Sequence, residues 1–331
     1  MNGFFVNELL SISELTFSYG TKQVFNEFNF ELNYPITGIV GVNGAGKSTL
    51  TKLITGILIP QKGEILVAGK NVVTERMKAL RNIGVLHENP VFPPWAKVLE
   101  YLLFVGELRG LGKEKALEQA LFFLKKLEIL DRRDDYVSQL SAGLRQRFGL
   151  AQALIGFPKL IILDEPTANL DVKSRLQVLS MLSELSRKFR INIIIFSHIF
   201  SELEKVCDAI AILHEGKILY HEPISKLFSE TRNLCYVLRG PKNRILGLIE
   251  TIENDEQLKK RIVSIDQENT ISHLSQNEDA YIEVRIYFDN KTKIEEIREF
   301  QSSLPDNVSF RPEKTPLENL FFRITGISEK N

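Results

Sequence analysis

The chain has 331 residues, of which 44% are hydrophobic and 25% charged, so it is long enough for two ordinary globular domains. The 42 Lys and Arg equal the 42 Asp and Glu, and the resulting net charge of zero argues weakly against a nucleic-acid-binding protein. The two cysteines, Cys207 and Cys235, provide no disulfide framework and favour a reducing compartment.

Apolar, strand-like runs alternate with helical patterns up to about residue 230. Three of these runs are rich in Ile and Val and apolar on both faces, as in parallel strands buried between helices: residues 36–42, 160–166 and 191–198. A helical pattern follows each run, at residues 47–57, 172–190 and 200–207. The alternation predicts an α/β sheet. Residues 95–130 have helical periodicity without a strand, which predicts a helical subdomain inserted at about residues 90–157.

The pattern changes after residue 230, where strands with one wet face are predicted within residues 233–240, 260–266, 280–288 and 308–314. Amphipathic helices are predicted at residues 242–254 and 293–304. The order β-α-β-β-α-β predicts a small ferredoxin-like α+β domain. Residues 315–326 begin with Thr-Pro and a nearby Glu, which indicates a final helix. The predicted domains are therefore residues 1–230 and 231–331.

The stretch GVNGAGKST, residues 41–49, fits the pattern G-x-x-x-x-G-K-[ST] between a predicted strand and a predicted helix. Its glycines allow the backbone N–H groups to surround a phosphate, and the helix N-terminus adds positive potential. Lys47 supplies a cation for the β- and γ-phosphates, Ser48 a hydroxyl for Mg²⁺ and Thr49 a hydroxyl for the α-phosphate. The motif predicts nucleoside triphosphate binding by Asn43, Gly44, Ala45, Gly46, Lys47, Ser48 and Thr49.

Two carboxylates end the strand-like run LIILDEP. Ligands of open α/β sheets lie at the carboxyl ends of the strands, where Asp164 can hold Mg²⁺ through water and Glu165 can polarise an attacking water. His198 ends another strand at the same predicted edge, within reach of a γ-phosphate. Each residue alone is more simply a strand-end polar group. Beside the phosphate loop, however, the three indicate a catalytic set.

A fourth motif, LSAGLRQR at residues 140–147, lies between GVNGAGKST and LIILDEPTANLD, and IIIFSH follows them. Over about residues 11–230 the chain resembles the ATP-binding subunit of ABC transporters. The resemblance implies a head-to-tail dimer with two ATP molecules at the interface. Ser141, Ala142 and Gly143 of one copy would face the γ-phosphate that Lys47 of the other copy holds. A helix beginning at Gly143 could meet phosphate charge with its free N–H groups.

The resemblance also implies roles for single residues. Tyr19 matches the aromatic residue that stacks on adenine, although an ordinary tyrosine at a strand edge is the alternative. Asp171 matches the aspartate that links the two sites across the dimer. His198 matches the histidine that contacts the γ-phosphate, and Glu165 matches the catalytic glutamate, so an active ATP hydrolase is expected.

The stretch IGVLHE, residues 83–88, resembles the family's IGYLPQ. The match places Glu88 at the glutamine that touches Mg²⁺ and the attacking water, while His87 has no assigned chemistry. The next segment matches the region where a permease helix docks. Its candidates for that contact are Phe92, Pro93, Pro94 and Trp95, with packing inside the helical subdomain as the alternative.

Residues 315–326, TPLENLFFRITG, resemble the SLEDVFLxLTG ending of ATP-binding subunits that pair with a separately encoded exporter permease. No apolar run approaches the ~18 residues of a membrane span, and the start has no basic region typical of a secretory signal, so action at a membrane is expected through a partner. The resemblance implies a cytoplasmic subunit, peripheral on the inner face of the cell membrane. The C-terminal domain could regulate or stabilise the dimer.

Two other functions fit the motifs less well. A soluble ABC ATPase acting on a ribosome or DNA usually has two ATPase units in one chain or a long coiled-coil insertion, and neither is found here. Its nucleic-acid partner is also disfavoured by the neutral charge. A regulatory module without hydrolysis is disfavoured by the presence of Glu165 and His198.

Overall fold

The computed structural model describes residues 9–230, 235–266, 281–289 and 292–326. The chain divides into two units, Met1–Ser225 and Lys226–Asn331. This division lies five residues before the predicted domain boundary, which follows residue 230. In the described ranges, no helix combines the length and the apolar character that a membrane crossing requires.

The strands of the first unit form two sheets. They are β1 (Leu10–Tyr19), β2 (Lys22–Glu31), β3 (Ile36–Val40), β4 (Lys62–Val67), β5 (Lys70–Asn71), β6 (Ile83–Leu86), β7 (Leu160–Asp164), β8 (Asn192–Phe196), β9 (Ala209–His214) and β10 (Lys217–Pro223). One sheet is antiparallel, in the order β2-β1-β4-β5. The other has the order β10-β9-β3-β8-β7-β6, and its neighbours are parallel except β9 and β10.

The larger sheet confirms the predicted α/β class. Every residue of β3 and β8 is buried, as expected for strands with helices on both sides. Strand β8 lies between β3 and β7 and runs parallel to both. The carboxyl ends of these three strands therefore meet at one edge of the sheet. The segments that follow them carry the phosphate loop, Glu165 and His198 respectively.

Helices connect these strands and form the inserted subdomain. They are α1 (Lys47–Ile54), α2 (Arg76–Leu80), α3 (Val98–Leu108), α4 (Lys113–Lys126), α5 (Ala142–Leu154), α6 (Val172–Phe189) and α7 (Phe200–Val206). Helices α3, α4 and α5 form the helical subdomain and bury apolar side chains such as Leu102, Phe123 and Phe148. Helix α6 ends one residue before the predicted limit, because Arg190 adopts a left-handed conformation with φ 54°.

The second unit has a four-stranded antiparallel sheet. Helix α8 (Ile224–Glu230) spans the division, and the elements after it are β11 (Cys235–Pro241), α9 (Lys242–Asn254), α10 (Glu256–Arg261), β12 (Ile262–Asp266), β13 (Tyr281–Phe288), α11 (Ile294–Ser302), β14 (Ser309–Pro312) and α12 (Pro316–Thr325). The strand order β12-β13-β11-β14 agrees with the predicted ferredoxin-like unit. Helix α10 was not predicted. Asp255 caps it by accepting hydrogen bonds from the backbone N–H groups of Gln257 and Leu258.

Both cysteines have free thiols. Cys207 is buried, and its Sγ lies 2.9 Å from the position that a Cβ on Gly38 of β3 would occupy. Burial raises the pKa of the Cys207 thiol. Burial and a hydrogen bond with Glu313 raise the pKa of Cys235 to about 12.

Candidate nucleotide site

The phosphate loop follows β3 and leads into α1, as its sequence predicts. Gly46 has φ 113°, and a Cβ there would stand 2.8 Å from Cζ of the buried Phe25 ring, so only glycine fits. A Cβ on Gly41 would collide with the carbonyl oxygen of Leu213. Asn43, Gly44 and Ser48 are exposed, whereas Ala45 is buried. The loop is therefore fixed from beneath and accessible from solvent along its rim.

Lys47, at the start of α1, lies over this loop. Its Nζ donates hydrogen bonds to the carbonyl oxygens of Gly41 at 2.5 Å and Val42 at 3.2 Å. Burial lowers the pKa of Lys47, against the raising effect of Asp164, Glu165 and Glu88. The predicted phosphate ligand thus lies among three carboxylates, close to the sheet edge.

Asp164 is the last residue of β7 and is partly buried. Burial, together with the charges of Glu165 and Glu88, raises its pKa to about 6, and Lys47 opposes the shift. A cation near Asp164 would relieve this repulsion. Glu88 and Ser48 are exposed and offer further oxygen atoms.

The donor set Ser48, Glu88 and Asp164 fits Mg²⁺, which prefers oxygen ligands and commonly takes only one or two protein carboxylates beside the phosphates of a nucleotide. Among the residues that the structure describes, no three or more His, Cys, Asp or Glu side chains form a group that could hold a metal ion by themselves. The proposed Mg²⁺ therefore depends on the phosphates of the nucleotide for its remaining ligands.

Glu165 follows Asp164 and is almost fully buried, with both carboxylate oxygens hydrogen-bonded. Oε1 accepts from the backbone N–H of His198 at 3.0 Å and lies 2.7 Å from Nδ1 of the same residue. Oε2 accepts from the Ser197 hydroxyl at 3.0 Å. The His198 side chain is 78% exposed, whereas that of Glu165 is 10% exposed. The structure thus brings the two predicted catalytic residues into direct contact.

The backbone of Glu165 is strained. It has φ 48°, a left-handed conformation that costs a non-glycine residue about 1–3 kcal/mol. Its N–H donates to the carbonyl oxygen of Phe196 at 2.9 Å, and its own carbonyl accepts from the N–H of Ala168 and from Nε2 of Gln146. These bonds hold the strained conformation and fix the direction of the carboxylate.

Ser141, Ala142 and Gly143 form a separate group with Asp171. Ser141 caps α5 by accepting a hydrogen bond from the N–H of Leu144 at 3.3 Å, and both Ser141 and Ala142 are exposed. A Cβ on Gly143 would stand 3.2 Å from the carbonyl oxygen of Asn169, in the loop that leads to Asp171. Gly143 therefore packs against that loop, close to Asp171.

Asp171 caps α6 and connects to α5. It accepts hydrogen bonds from the N–H and the hydroxyl of Ser174, and these bonds lower the pKa of Asp171. The same hydroxyl accepts from Nη2 of Arg147 at 2.5 Å. Helix capping explains Asp171 within a single chain, and its exposed carboxylate is also available to a second chain.

Tyr19 ends β1 and is 46% exposed, with its ring 4.9 Å from that of Phe17 in an edge-on arrangement. Phe17 pairs with Phe25 of β2, the residue beneath Gly46. Tyr19 therefore lies on the sheet that supports the phosphate loop, in a position open to a flat ligand. His87 is exposed, and burial of part of its ring, with the charge of Lys52, lowers its pKa.

The four candidates for permease contact separate into two kinds. The Phe92 ring packs 4.8 Å from that of Phe148 and 5.7 Å from that of Tyr101, so Phe92 belongs to the helical subdomain. This packing favours the alternative given for Phe92, a place inside the helical subdomain. Trp95 is 75% exposed. Pro94 is also exposed and Pro93 is partly buried.

Sequence reasoning missed two residues that hold Glu165. Ser197 stands directly before His198. Its place at the end of a strand, beside a predicted site residue, could have indicated a contact with the site. Gln146 is a fully buried polar side chain on the face of α5 that also buries Gly149, Leu150 and Ala153. A glutamine in an apolar helix face requires a hydrogen-bond partner, but the sequence did not indicate which one.

The comparisons with known proteins agree with this geometry. The family described as ABC transporter matches residues 25–168. The bacitracin transport ATP-binding protein BcrA of Bacillus licheniformis is 31% identical over 246 residues, which cover 74% of this chain and 79% of that protein. The methionine import ATP-binding protein MetN of Latilactobacillus sakei subsp. sakei is 32% identical over 251 residues, which cover 74% of this chain and 71% of that protein.

A solved structure extends the likeness to three dimensions. The cbiO1 protein of Clostridium perfringens, described as part of the ABC transporter complex cbiONQ, is similar with a TM-score of 0.59 and 29% identity, over 67% of this chain and 91% of that chain. The family match over residues 25–168 includes the phosphate loop, the carboxylates at the sheet edge and the exposed start of α5. The chain belongs to the ATP-binding proteins of ABC transporters, and it is an ATP hydrolase of that family.

Proposed function

We propose that the chain powers a membrane exporter as a head-to-tail pair of identical copies, each binding ATP with Mg²⁺. The observation that carries this proposal is the separation of two groups within one chain. Lys47, Asp164 and Glu165 lie together at the sheet edge, whereas Ser141 and Gly143 lie at the exposed start of α5. A second copy can bring the start of its α5 to the phosphates, where its N–H groups would meet their negative charge.

The residues of the first group have distinct tasks in ATP hydrolysis. Lys47 leaves the loop carbonyls for the β- and γ-phosphates, and Glu165 accepts the proton of the attacking water. His198 can rotate from Glu165 to the γ-phosphate because its side chain is exposed. Bound Mg²⁺, for which Ser48, Asp164 and Glu88 are the proposed ligands, would neutralise phosphate charge. Closure of the dimer on ATP, and its reopening after hydrolysis, then drives the membrane partner.

An exposed apolar surface supports a membrane subunit as that partner. Val91, Trp95 and Phe104 are 91%, 75% and 54% exposed, and we call them the docking face. Ring contacts through Tyr101 join Phe92, beside Val91, to Phe104 at 5.7 and 6.5 Å. Exposed aromatic residues of this kind are common anchors of protein interfaces. The proposed occupant of this surface is a cytoplasmic helix of a permease, and the chain would then act on the inner face of the membrane.

Trp95→Ala tests the docking face. We expect the variant to bind the permease about 30-fold more weakly than the wild-type chain does, because truncation of an aromatic anchor costs ~2 kcal/mol and ~1.4 kcal/mol corresponds to a factor of ten. Met77→Ala is the matched control, since Met77 is 68% exposed on α2 outside this face. The measurement is the yield of membrane protein in a pull-down from solubilised membranes. Equal yields from the two variants would contradict the docking face.

Export is proposed from α12. Residues 315–326 resemble the ending of exporter subunits, and this resemblance supports the proposal. In the structure Thr315 and Glu318 form a capping box at the start of α12, and Gly326 follows its end with φ 67°. One relative is named for methionine import, so direction needs its own test. Vesicles that contain the chain and its permease, with ATP on the side of the chain, should lose cargo from that side. Sedimentation of the chain with ribosomes or DNA would instead favour the soluble alternative.

Glu88→Gln tests the proposed metal role of Glu88. We expect the Mg²⁺ concentration for half-maximal ATPase activity to rise severalfold, because the amide binds Mg²⁺ less strongly than the carboxylate. The activation curve should also become less steep, because the glutamine does not repel the γ-phosphate when Mg²⁺ is absent. Glu100→Gln, at an exposed position in the first turn of α3, is the control. Superimposable curves for wild type and Glu88→Gln would show that the substitution is neutral.

A further inference from the structure

Gln146 connects two parts of the chain that act on different ATP molecules in the proposed dimer. It lies on α5, five residues after Ser141, which corresponds to ~7.5 Å along the helix axis. Its side chain is 1% exposed, and its Nε2 donates a 2.9 Å hydrogen bond to the carbonyl oxygen of Glu165. The helix that would contact the ATP of the second copy is thus bonded to the base that acts on the ATP of its own copy.

The bond meets Glu165 where its conformation is most constrained. The carbonyl belongs to the residue with φ 48°, and the carboxylate of the same residue is held by Ser197 and His198. A shift of α5 that moves this carbonyl must therefore turn the Glu165 peptide or stretch the bonds to its carboxylate. Close packing around the buried amide allows little slack for such a shift.

The next residue of α5 makes a parallel connection. Arg147 donates to the hydroxyl of Ser174, which in turn donates to Asp171 at 2.6 Å. Two consecutive side chains of α5 are therefore bonded to the two segments that follow β7, the Glu165 turn and the start of α6. A rigid shift of α5 acts on both segments together.

We propose that Gln146 is a positioning residue, which transmits contact between the start of α5 and the ATP held by the second copy to Glu165 of its own copy. The inference rests on the proposed dimer. When α5 engages the partner's nucleotide, the amide of Gln146 draws the Glu165 carbonyl with it and orients the carboxylate toward its water. One ATP site thereby controls hydrolysis at the other within a single chain.

Gln146→Met tests the proposal, because methionine nearly matches the shape of glutamine and cannot donate the hydrogen bond. We expect kcat for ATP to fall ~10–100-fold, the range that misplacement of a catalytic group by about 1 Å produces. The Kd for ATP should stay within about twofold, since Gln146 is bonded outside the phosphate loop. The Hill coefficient for ATP should fall from above 1 in the wild type to 1. A wild-type Hill coefficient of 1 would overturn the proposal.

Gln119→Met is the matched control. Gln119 also joins a helix of the subdomain to a backbone group, since its Oε1 accepts from the N–H of Gly156 at 2.7 Å, but it is not bonded to Glu165. A general loss of stability would lower activity equally in the two variants. Equal kcat values and equal Hill coefficients for both would overturn the positioning role.

A double-mutant cycle shows whether Gln146 acts through Glu165. In the Glu165→Gln background, single-turnover hydrolysis should not slow further when Gln146→Met is added, because the base that Gln146 positions is already absent. Equal factors of slowing in both backgrounds would place the effect of Gln146 elsewhere and overturn the proposal.

Gln146→Glu provides a second variant should the methionine variant fail to fold. Its carboxyl group can donate to the Glu165 carbonyl only when protonated, so its kcat relative to wild type should rise as the pH falls. A ratio independent of pH would overturn the proposal. Absence of ATP hydrolysis in the wild-type chain would instead refute the proposed function itself, so the two failures are distinguishable.

Discussion

Lys47→Ala should lower the affinity for ATP at least ~100-fold. Lys47 is expected to donate two charge-assisted hydrogen bonds to the phosphates, and such a bond contributes ~1.5–3 kcal/mol, while ~1.4 kcal/mol corresponds to a factor of ten. The group is well placed for this exchange, because its Nζ already spans the loop to the carbonyl oxygens of Gly41 and Val42. Calorimetric titration with ATP and Mg²⁺ measures the effect.

Loss of the Lys47 ammonium also changes the nucleotide-free protein. Asp164, Glu165 and Glu88 lose the cation that opposes their mutual repulsion. Lys52→Ala controls for the loss of a lysine from α1, since Lys52 is exposed in the last turn of the same helix. We expect Lys52→Ala to bind ATP as the wild type does. Unchanged affinity in Lys47→Ala would refute the role assigned to the phosphate loop.

Glu165→Gln should leave ATP binding intact and slow hydrolysis ~10²–10⁴-fold, the usual contribution of a general base. The amide keeps the shape of the side chain, and its oxygen can still accept the N–H of His198. It cannot take the proton of the attacking water. Two measurements are needed: the Kd for ATP, and phosphate release under saturating ATP.

A further consequence of the glutamine substitution is accumulation of the ATP-bound dimer, which size-exclusion chromatography would detect. The control is Glu184→Gln, which removes an exposed ion pair with Lys126 at 3.1 Å and should cost at most ~1 kcal/mol of stability. Turnover near the wild-type rate in Glu165→Gln would exclude Glu165 as the base.

The fold of the first unit could be predicted because its signals are local. The strands β3, β7 and β8 are short apolar runs, and each is followed by a helical pattern. The phosphate loop was recognisable because glycine spacing directly reflects backbone conformation, as φ 113° at Gly46 illustrates. In the second unit, α9 begins and ends where its amphipathic pattern predicts.

The details that the sequence did not predict depend on contacts between distant segments. The bond from Gln146 to Glu165 joins residues 19 positions apart on different elements. The left-handed conformation of Glu165 results from its surroundings, since glutamate has no intrinsic preference for it. Phe92 and Trp95 are both aromatic and three positions apart. The ring of Phe92 packs against Phe148 and Tyr101, whereas Trp95 is exposed, and this difference could not be predicted from the sequence.

The state of the two cysteines makes the chain suitable for site-specific labelling. A thiol with a pKa of about 12, as in Cys235, is ionised to only ~1 part in 10⁵ at pH 7, against a few per cent for an ordinary cysteine. Cys207 is buried and also has a raised pKa. Maleimide dyes react with thiolates, so a cysteine introduced at an exposed position outside the proposed sites, such as Met77, should be modified selectively in the otherwise native sequence. Fluorescence energy transfer between two labelled copies could then follow dimer closure in real time.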